Sequence, residues 1–533
     1  MEATRCVSRF IFSLFLLAPN LAMAANHYVR AGATGDGSDW AYAYNDLPSS
    51  LVRGDVYYIA DGSYKGHRFA DSDPQLQLIT IKKATSTDHG TDTGWSTAYG
   101  DGQAVFNGQL EFIGDNYLID GQTGGGPGSW KSGFGFVLNA GGGKGIRGTS
   151  GSNIAIRHIE IYGHGDDLGE CCANDLLYLL GGSNYTLSHA YLHDAGRTLY
   201  LIRISNVFTE YVYGGKFEST PEQHSEIASV VGDHITFANS IYDHVEGTGG
   251  LIVEGDDLQV YGCVFNQTND SWGGANGVIG TWTASTLTNA RIYNNTFLDA
   301  QRLFGFYNTP STGNRIHNNI FYSSAKADFG GVESHDYNHY VNMVDDRVPV
   351  EKNRTVVRDS GNPFVNVGED DFRLIRATRA APTLFPPYNK DPLGAPRGAD
   401  GTWERGAYEF IGPDGPDTTP PAVAITSPAN GATVSGVKTI SAKVLDGTGV
   451  TSVQFKLDGN DLGSVDRSSP FAISWDTSQT ANGSHTLNAV ATDRAGNVAA
   501  SSAVTITVDD TSPPPPPLLP PSSPTGLTIE SRS

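Results

Sequence analysis

"NARIYNNTFLD", residues 289–299, decides the fold, because its phrase returns along the middle of the chain. Each copy opens on Asn or Asp, runs through a short alternating strand and a polar corner, and continues into a second short strand. The other copies are "NIAIRHIEIYG" from Asn153, "NYTLSHAYLHD" from Asn184, "NVFTEYVYGGK" from Asn206, "DHITFANSIYDH" from Asp233, "DLQVYGCVFNQ" from Asp257 and "NRIHNNIFYS" from Asn314. Successive starts along the chain are 31, 22, 27, 24, 32 and 25 residues apart.

A repeat of this length cannot bury its own apolar face, whereas stacked copies bury a continuous core. The 64 glycines and the absence of long helical periodicity favour an all-β chain. We therefore expect a right-handed parallel β-helix, with one repeat per coil, followed by an immunoglobulin-like β-sandwich. The paired asparagines of "YNNTF" and "HNNIF" suit the corners, where Asn tolerates left-handed backbone and can stack as a ladder.

Composition divides the chain into six segments. Residues 1–24 read as a signal peptide, with a basic start, a short apolar run "FIFSLFLLA" and small residues "AMA" at the cleavage point. Residues 25–411 form the β-helix domain, 412–420 a linker, and 421–508 the immunoglobulin-like domain, whose "VQFKLDGNDLG" and "HTLNAVATDRAGN" resemble bacterial modules of that kind. Residues 509–524 are a proline-rich linker, and 525–533 resemble the start of an incomplete fibronectin type III module. We expect a bacterial protein that is secreted or held at the cell surface, with no transmembrane segment.

Charge and cysteine content narrow the possible partners. The formal net charge of −22 and the pI of about 4.9 argue against nucleic acid as a ligand, because an acidic surface repels phosphates. A polysaccharide is the expected partner, and we expect a monomer. Cys171, Cys172 and Cys263 do not make a disulfide framework; a single bridge from Cys263 stays open beside burial as a small apolar residue.

Aligning the repeats places polar side chains in two neighbouring columns. One column holds Asp194, Lys216 and His244, and the other holds His193, Gly215 and Asp243. Equivalent residues of adjacent coils lie about 4.8 Å apart, so these groups can act together on one ridge. The segment "FESTPEQHSE", which follows Lys216, forms a natural wall for such a cleft.

The stretch "SEIASVVGDHITFANSIYDHVEGTGGLIVEGDDLQVYGCVF", from Ser225, resembles the core of the alginate lyase and chondroitinase B family of polysaccharide lyases. Glu226 falls on the position of a Ca²⁺-ligating glutamate in that family. Val231 and Glu254 stand where the family has its catalytic lysine and arginine. The resemblance therefore implies a pectate-lyase-like fold and a carbohydrate-active setting, without carrying over the family's mechanism.

The chemistry of β-elimination assigns roles to the polar residues. The substrate carboxylate must be neutralised, a base must remove the C5 proton, and an acid must protonate the leaving oxygen. Candidate catalytic residues are Lys216, His244, Glu226 and His224; candidate substrate-binding residues are Arg197, Arg203, His193 and Asp194; and candidate Ca²⁺ ligands are Glu222, Glu226 and Asp243. A hydrolase would instead use two carboxylates, for which Glu226 with Glu246 or with Asp243 is the pair to test.

These features predict a secreted protein that cleaves a polysaccharide, more readily an acidic one, by elimination or hydrolysis. The alternative is a non-catalytic surface protein that binds glycan through the β-helix, and a uronan epimerase is a third hypothesis. Charged residues at exposed corners are often simply solvated, so each candidate also has a purely structural interpretation.

Overall fold

The computed structural model describes residues 24–72, 76–164, 175–195, 197–217, 226–245, 250–266, 277–282, 285–306, 312–327, 329–344, 348–358, 360–398, 401–410, 420–446, 450–493 and 497–511. These residues form an all-β structure with three short 3-10 segments at Thr97–Tyr99, Val367–Glu369 and Thr477–Gln479. Within the described ranges, no helix has the length and apolarity that a membrane crossing requires.

The larger part is one barrel-like parallel sheet of 27 strands. Its N-terminal strands are β1 (Asn26–Val29), β2 (Val56–Ile59), β3 (Gly62–Phe69), β4 (Ile79–Lys83), β5 (Ala104–Phe112), β6 (Tyr117–Asp120), β7 (Phe136–Gly141), β8 (Ile146–Gly148) and β9 (Ile154–Gly163). Its central strands are β10 (Asp175–Leu179), β11 (Ser183–His193), β12 (Arg197–Phe217), β13 (Glu226–Ala238), β14 (Ile241–Val245), β15 (Leu251–Asp256), β16 (Leu258–Tyr261), β17 (Val264–Asn266) and β18 (Ile279–Gly280). Its last strands are β19 (Leu287–Thr288), β20 (Arg291–Tyr293), β21 (Thr296–Leu298), β22 (Phe304–Gly305), β23 (Arg315–His317), β24 (Ile320–Tyr322), β25 (Ser334–Asp336), β26 (His339–Val341) and β27 (Thr355–Val357).

Each repeat pairs in parallel with the next repeat along the chain. In the central part, Tyr185 lies opposite Val207, and Val207 lies opposite Ile235. The inward side chains of these strands, β25 and β27 excepted, join one apolar cluster that extends from Val29 to Tyr340. Stacking therefore buries the apolar face that a single repeat leaves exposed.

Left-handed backbone turns the chain at the corners, several of which lie inside the long strands β11, β12 and β13. Asn153, Asn184 and Asn206 have φ values of 58°, 59° and 56°, and their carboxamides form a hydrogen-bonded column with N···O distances of 2.7–3.0 Å. The column continues through His234, Asp257, Asn289 and Gly313. His234 and Gly313 are also left-handed, with φ values of 57° and 79°. The repeat starts expected at Asp233 and Asn314 are thus one residue too early and one too late, because the left-handed position, rather than the letter Asn, sets the register.

A second asparagine ladder runs inside the core. Asn295, Asn319 and Asn338 are fully buried, and the side-chain amide of each one donates to the oxygen of the next at 3.1 Å or, at the end, to Glu351 at 2.8 Å. The Oδ1 atoms of Asn319 and Asn338 also accept the backbone N–H of the preceding asparagine at 2.9 and 3.0 Å, and the other carboxylate oxygen of Glu351 accepts that of Asn338 at 3.1 Å. Only the first Asn of each pair in "YNNTF" and "HNNIF" is left-handed, with φ values of 55° at Asn294 and 63° at Asn318. Cys263 is a buried free thiol one repeat before this ladder.

A segment after the last repeat covers one side of the parallel sheet. It includes the antiparallel pair β28 (Phe364–Asn366) and β29 (Asp371–Leu374). Phe372 and Tyr408 from this segment pack in one buried cluster with Ile241 and Val264 of the sheet. This packing brings residues near position 370 beside the strands that end at the corners described below.

The C-terminal part is an immunoglobulin-like β-sandwich. Its strands are β30 (Ala422–Ser427), β31 (Thr433–Val434), β32 (Val437–Leu445), β33 (Val450–Leu457), β34 (Asn460–Asp466), β35 (Ala472–Asp476), β36 (Gly483–Asp493), β37 (Val498–Ala500) and β38 (Val504–Val508). They form a three-stranded and a six-stranded sheet. Ile440, Phe455 and Trp475 lie in the separate apolar core of this part.

Two partly buried histidines, His189 and His339, predict a loss of stability at acid pH. Burial, followed by neighbouring positive groups, lowers the pKa of His189 and of His339 from 6.5 to about 4. The unfolded chain therefore takes up these protons first, and stability should fall as pH drops from about 6.5 to about 4, and then level off. Urea unfolding of the full chain at a series of pH values measures this loss.

The substitution His189→Asn keeps a residue that tolerates the left-handed φ of 52° and should remove part of the acid loss. His244→Asn is the matched control, because His244 has the same φ of 52° but an exposed side chain. An equal acid loss in His189→Asn and in the unchanged protein would contradict the prediction.

Candidate functional site

The candidate site lies at one corner of the parallel sheet, where the last strand segment of one repeat leads into the first segment of the next. The register places His193 opposite Gly215, and Gly215 opposite Asp243. This confirms the column predicted from the sequence. The row that begins the next segment places Asp175 opposite Arg197, and Arg197 opposite Glu226. The two rows therefore flank the same corner.

His193 is held between two carboxylates. Its Nδ1 lies 2.6 Å from Asp194 Oδ2, and its Nε2 lies 3.1 Å from Glu160 Oε1. The ring also stacks on Tyr191, with 4.0 Å between the ring centroids, and faces Tyr162 at 5.6 Å. Asp194 is the most exposed of the charged partners, with a side chain 41% accessible. An imidazole so oriented can exchange a proton with either carboxylate.

Tyr213 connects this histidine to a second pair of acids. Its hydroxyl lies 2.9 Å from Asp243 Oδ2 and 3.0 Å from Asp370 Oδ1. Lys131 Nζ lies 2.6 Å from Asp370 Oδ2 and 4.5 Å from the Tyr213 ring centroid. The ring of Tyr191 meets that of Tyr213 edge-on at 5.6 Å. These contacts join three repeats and two distant segments into one group.

We call this group the His193 cluster. Its members are Lys131, Glu160, Tyr191, His193, Asp194, Tyr213, Asp243, His244 and Asp370. His244 is its most exposed imidazole, and its Nδ1 lies 2.7 Å from Asp243 Oδ2.

The two phenols of the cluster are hydrogen-bond donors rather than bases. Burial, with smaller contributions from Asp194 and other carboxylates, raises the pKa of Tyr191 to about 12. Burial and the charges of Asp243 and Asp370 raise the pKa of Tyr213 well above its ordinary value. Proton abstraction at neutral pH therefore falls to the imidazoles and carboxylates of the cluster.

The row that begins the next segment is an alternating line of charges, here called the Arg197 row. Lys144 pairs with Asp175, and Asp175 accepts from Arg197 Nε at 2.7 Å. Arg197 Nη1 lies 3.5 Å from Glu226 Oε2, which also accepts a hydrogen bond from the Ser229 hydroxyl. Asp175 and Glu226 are fully buried and Arg197 is buried. The row therefore joins three repeats by compensated buried charges.

The residues predicted to bind Ca²⁺ do not form a ligand set where the structure describes them. Glu226 is engaged by Arg197 and Ser229, while Asp243 accepts hydrogen bonds from Tyr213 and from Asn266. Among the described residues, no group of three or more His, Cys, Asp or Glu side chains could hold a metal ion. Glu222 lies outside the described residues, and Ca²⁺ binding stays a prediction.

The remaining predicted residues divide by position. His224 and Glu246 lie outside the described residues, and the structure describes the backbone of Lys216 but not its side chain. Arg203 is exposed six residues beyond Arg197, about 20 Å along a strand from the corner. The structure therefore brings together His193, Asp194, Asp243 and His244.

Sequence reasoning missed several members of the cluster. Three of them occupy equivalent positions of adjacent repeats, two residues before the corner: Glu160, Tyr191 and Tyr213. The repeat alignment could therefore have placed them beside the column of His193. Lys131 and Asp370 come from segments without the repeated phrase, so nothing in the sequence indicated their position.

Comparisons with known proteins concern only parts of the chain. No curated protein matches it. One solved structure, described as fibronectin(III)-like modules of Clostridium thermocellum CbhA, is 28% identical over 16% of this chain and 94% of its own, with a TM-score of 0.15. Another, the endo-beta-1,4-mannanase from Thermotoga petrophila, is 9% identical over 33% of this chain and 39% of its own, also with a TM-score of 0.15. Neither likeness bears on the function of the chain. Residues 421–489 match the family model of the bacterial Ig domain.

Proposed function

We propose that the parallel sheet is a right-handed parallel β-helix spanning residues 25–411, and that the chain is an exported bacterial polysaccharide-active protein. Parallel pairing between successive repeats around one apolar core supports this architecture. The apolar segment near residue 10 supports export, and the bacterial Ig domain is consistent with it. The proline-rich stretch after residue 511 would act as a stiff spacer.

The function that we propose is cleavage of a polysaccharide along the corner of the His193 cluster. The single observation that carries it is the partly exposed His193, placed between Asp194 and Glu160 and stacked on Tyr191. A general acid and a general base need this combination of imidazole, carboxylate and orienting partner. Tyrosine faces are suited to pack against sugar rings.

Hydrolysis and elimination would use the cluster differently. A hydrolase would take Asp194 or Glu160 as one carboxylate and Asp243 as the other. A lyase would take His193 or His244 as the base, with the half-buried phenol of Tyr191 as the neutral group that donates a proton. Lys216 and His224 remain candidates for either role.

A non-catalytic glycan-binding protein is the second candidate. Its support is the Arg197 row. Arg197, predicted to bind a substrate carboxylate, and Glu226, predicted to be catalytic, are both buried and paired with each other. Such a protein would bind polysaccharide without changing it.

An assay of the full chain separates these functions. The protein is incubated with neutral and acidic polysaccharides, with and without Ca²⁺, while absorbance at about 235 nm detects unsaturated products and a parallel assay detects reducing ends. Reducing ends without the absorbance would indicate hydrolysis, and both signals would indicate elimination. Binding without either signal would leave the non-catalytic function, and neither binding nor product would refute the proposal.

His193→Ala should lower the rate of cleavage by about 10²- to 10⁴-fold, the usual effect of losing a general acid or base. The matched control is His485→Ala in the immunoglobulin-like domain, since His485 Nδ1 lies 2.6 Å from Asp458 Oδ2 just as His193 Nδ1 lies 2.6 Å from Asp194 Oδ2. Initial rates at saturating and at limiting substrate measure the change. Equal rates for the two variants would place the reacting atoms elsewhere.

A further inference from the structure

The charge of the His193 cluster constrains the ligand. Glu160, Asp194, Asp243 and Asp370 supply four carboxylates, whereas Lys131 is the one lysine or arginine among the cluster's members, all of which the structure describes. Lys131 is already paired with Asp370 at 2.6 Å. A negatively charged sugar would meet more repulsion than attraction here.

With Lys216, which follows Gly215 in the same row, the corner has two lysines against four carboxylates, and the other cations beside it are occupied by partners. Arg197 lies between Asp175 and Glu226, and Lys144 pairs with Asp175, so two cations face two carboxylates in the Arg197 row. Releasing Arg197 toward a ligand carboxylate would leave buried acids without compensation, which is strongly unfavourable.

An independent observation concerns hydrogen bonding. Asn266 follows Asp243 in the same row, and its side-chain NH₂ group donates to Asp243 Oδ1 at 2.8 Å. Asn266 is 5% exposed, and its Oδ1 is buried without a hydrogen-bond partner. An unsatisfied buried acceptor calls for a donor. A sugar hydroxyl can donate, while an ionised carboxylate or sulfate can only accept.

We infer that the His193 cluster takes a polysaccharide without carboxylate or sulfate groups, whose hydroxyls donate to the acceptors of Asp194, Asp243 and Asn266. This inference rests on the proposed function and replaces the acidic substrate expected from the sequence. It assigns the charge of the ligand and leaves the identity of the sugar open.

Polysaccharide pairs that share a backbone and differ chiefly in charge test the inference. Suitable pairs are polygalacturonate with its methyl ester, hyaluronan with its methyl ester, and carboxymethyl cellulose with hydroxyethyl cellulose. Affinity electrophoresis of the full chain, in EDTA and in Ca²⁺, should show binding at least about tenfold tighter to the uncharged member of a pair, and the difference should shrink at high salt. Equal or tighter binding of an anionic member, in either medium, overturns the inference and leaves the proposed function intact. Binding to no member of any pair refutes the proposed function as well.

A pair of variants tests whether the His193 cluster causes the preference for uncharged over anionic polysaccharide. Asp194→Asn removes one negative charge from the cluster and should narrow the preference for the uncharged member by about threefold or more. Asp461→Asn removes the same charge from an exposed position in the immunoglobulin-like domain and should leave the preference unchanged. Identical preferences in both variants would show that the cluster does not set the charge selectivity.

Discussion

Replacing Arg197 with methionine is expected to lower the free energy of unfolding by about 3–5 kcal/mol, the usual cost of removing one partner from a buried ion pair. Asp175 and Glu226 would then lie buried on either side of an uncharged side chain, with one cation, Lys144, left in the row. Methionine fills a similar volume, so lost packing should contribute little. Urea unfolding of the full chain, followed by circular dichroism, measures the change.

Arg203→Met is the matched control, because it makes the same substitution in the same strand at an exposed position. It should change stability by less than about 0.5 kcal/mol. A further variant combining Arg197→Met with Asp175→Asn and Glu226→Gln should recover much of the loss, since the row would then contain no unpaired buried acid. Equal effects of Arg197→Met and Arg203→Met would show that the row does not stabilise the fold.

Asn319→Ala should produce a loss of similar size, about 3–5 kcal/mol, because it leaves several buried groups without partners at about 1–3 kcal/mol each. The backbone N–H of Asn295 would lose its acceptor at 2.9 Å, and the carbonyl of Ile292 would lose its donor at 2.9 Å. Thermal and urea unfolding of the full chain measure the loss.

Asn184→Gly is the control for this prediction. Asn184 also belongs to an asparagine column, but its side chain is exposed, and glycine accepts its φ of 59°. A change within about 1 kcal/mol is expected there. If both variants lost the same stability, hydrogen bonding inside the core would not be what the second ladder contributes.

The sequence alone predicted the repeat and much of its register. The column of His193, Gly215 and Asp243 is confirmed because each residue follows a buried core residue at a constant distance. The shift at His234 was not predictable from the letters Asn and Asp, because histidine occupies the left-handed position there. The buried role of Asn295 was also missed, since a sequence shows the pair of asparagines but not which member faces inward.

The candidate site was predictable only where it follows the repeat. Asp194 and Asp243 could be placed by counting along aligned strands. The pairing of Arg197 with Glu226 could not be predicted, because a charged side chain at the start of a strand can point to solvent or to the next repeat. Asp370 reaches Tyr213 through the packing of a non-repeating segment, which depends on the whole fold.

The buried amide ladder has a direction, and Glu351 is its terminator. Each asparagine side chain both donates and accepts. An inserted repeat with one more asparagine would therefore accept from the asparagine before it and donate to the one after it, so no hydrogen bond of the ladder would be lost. Glu351 accepts from the N–H and the amide of Asn338 and has no amide to offer a following repeat. Changes in copy number are therefore expected between Asn295 and Asn338, with Glu351 marking where growth of the stack by duplication stops.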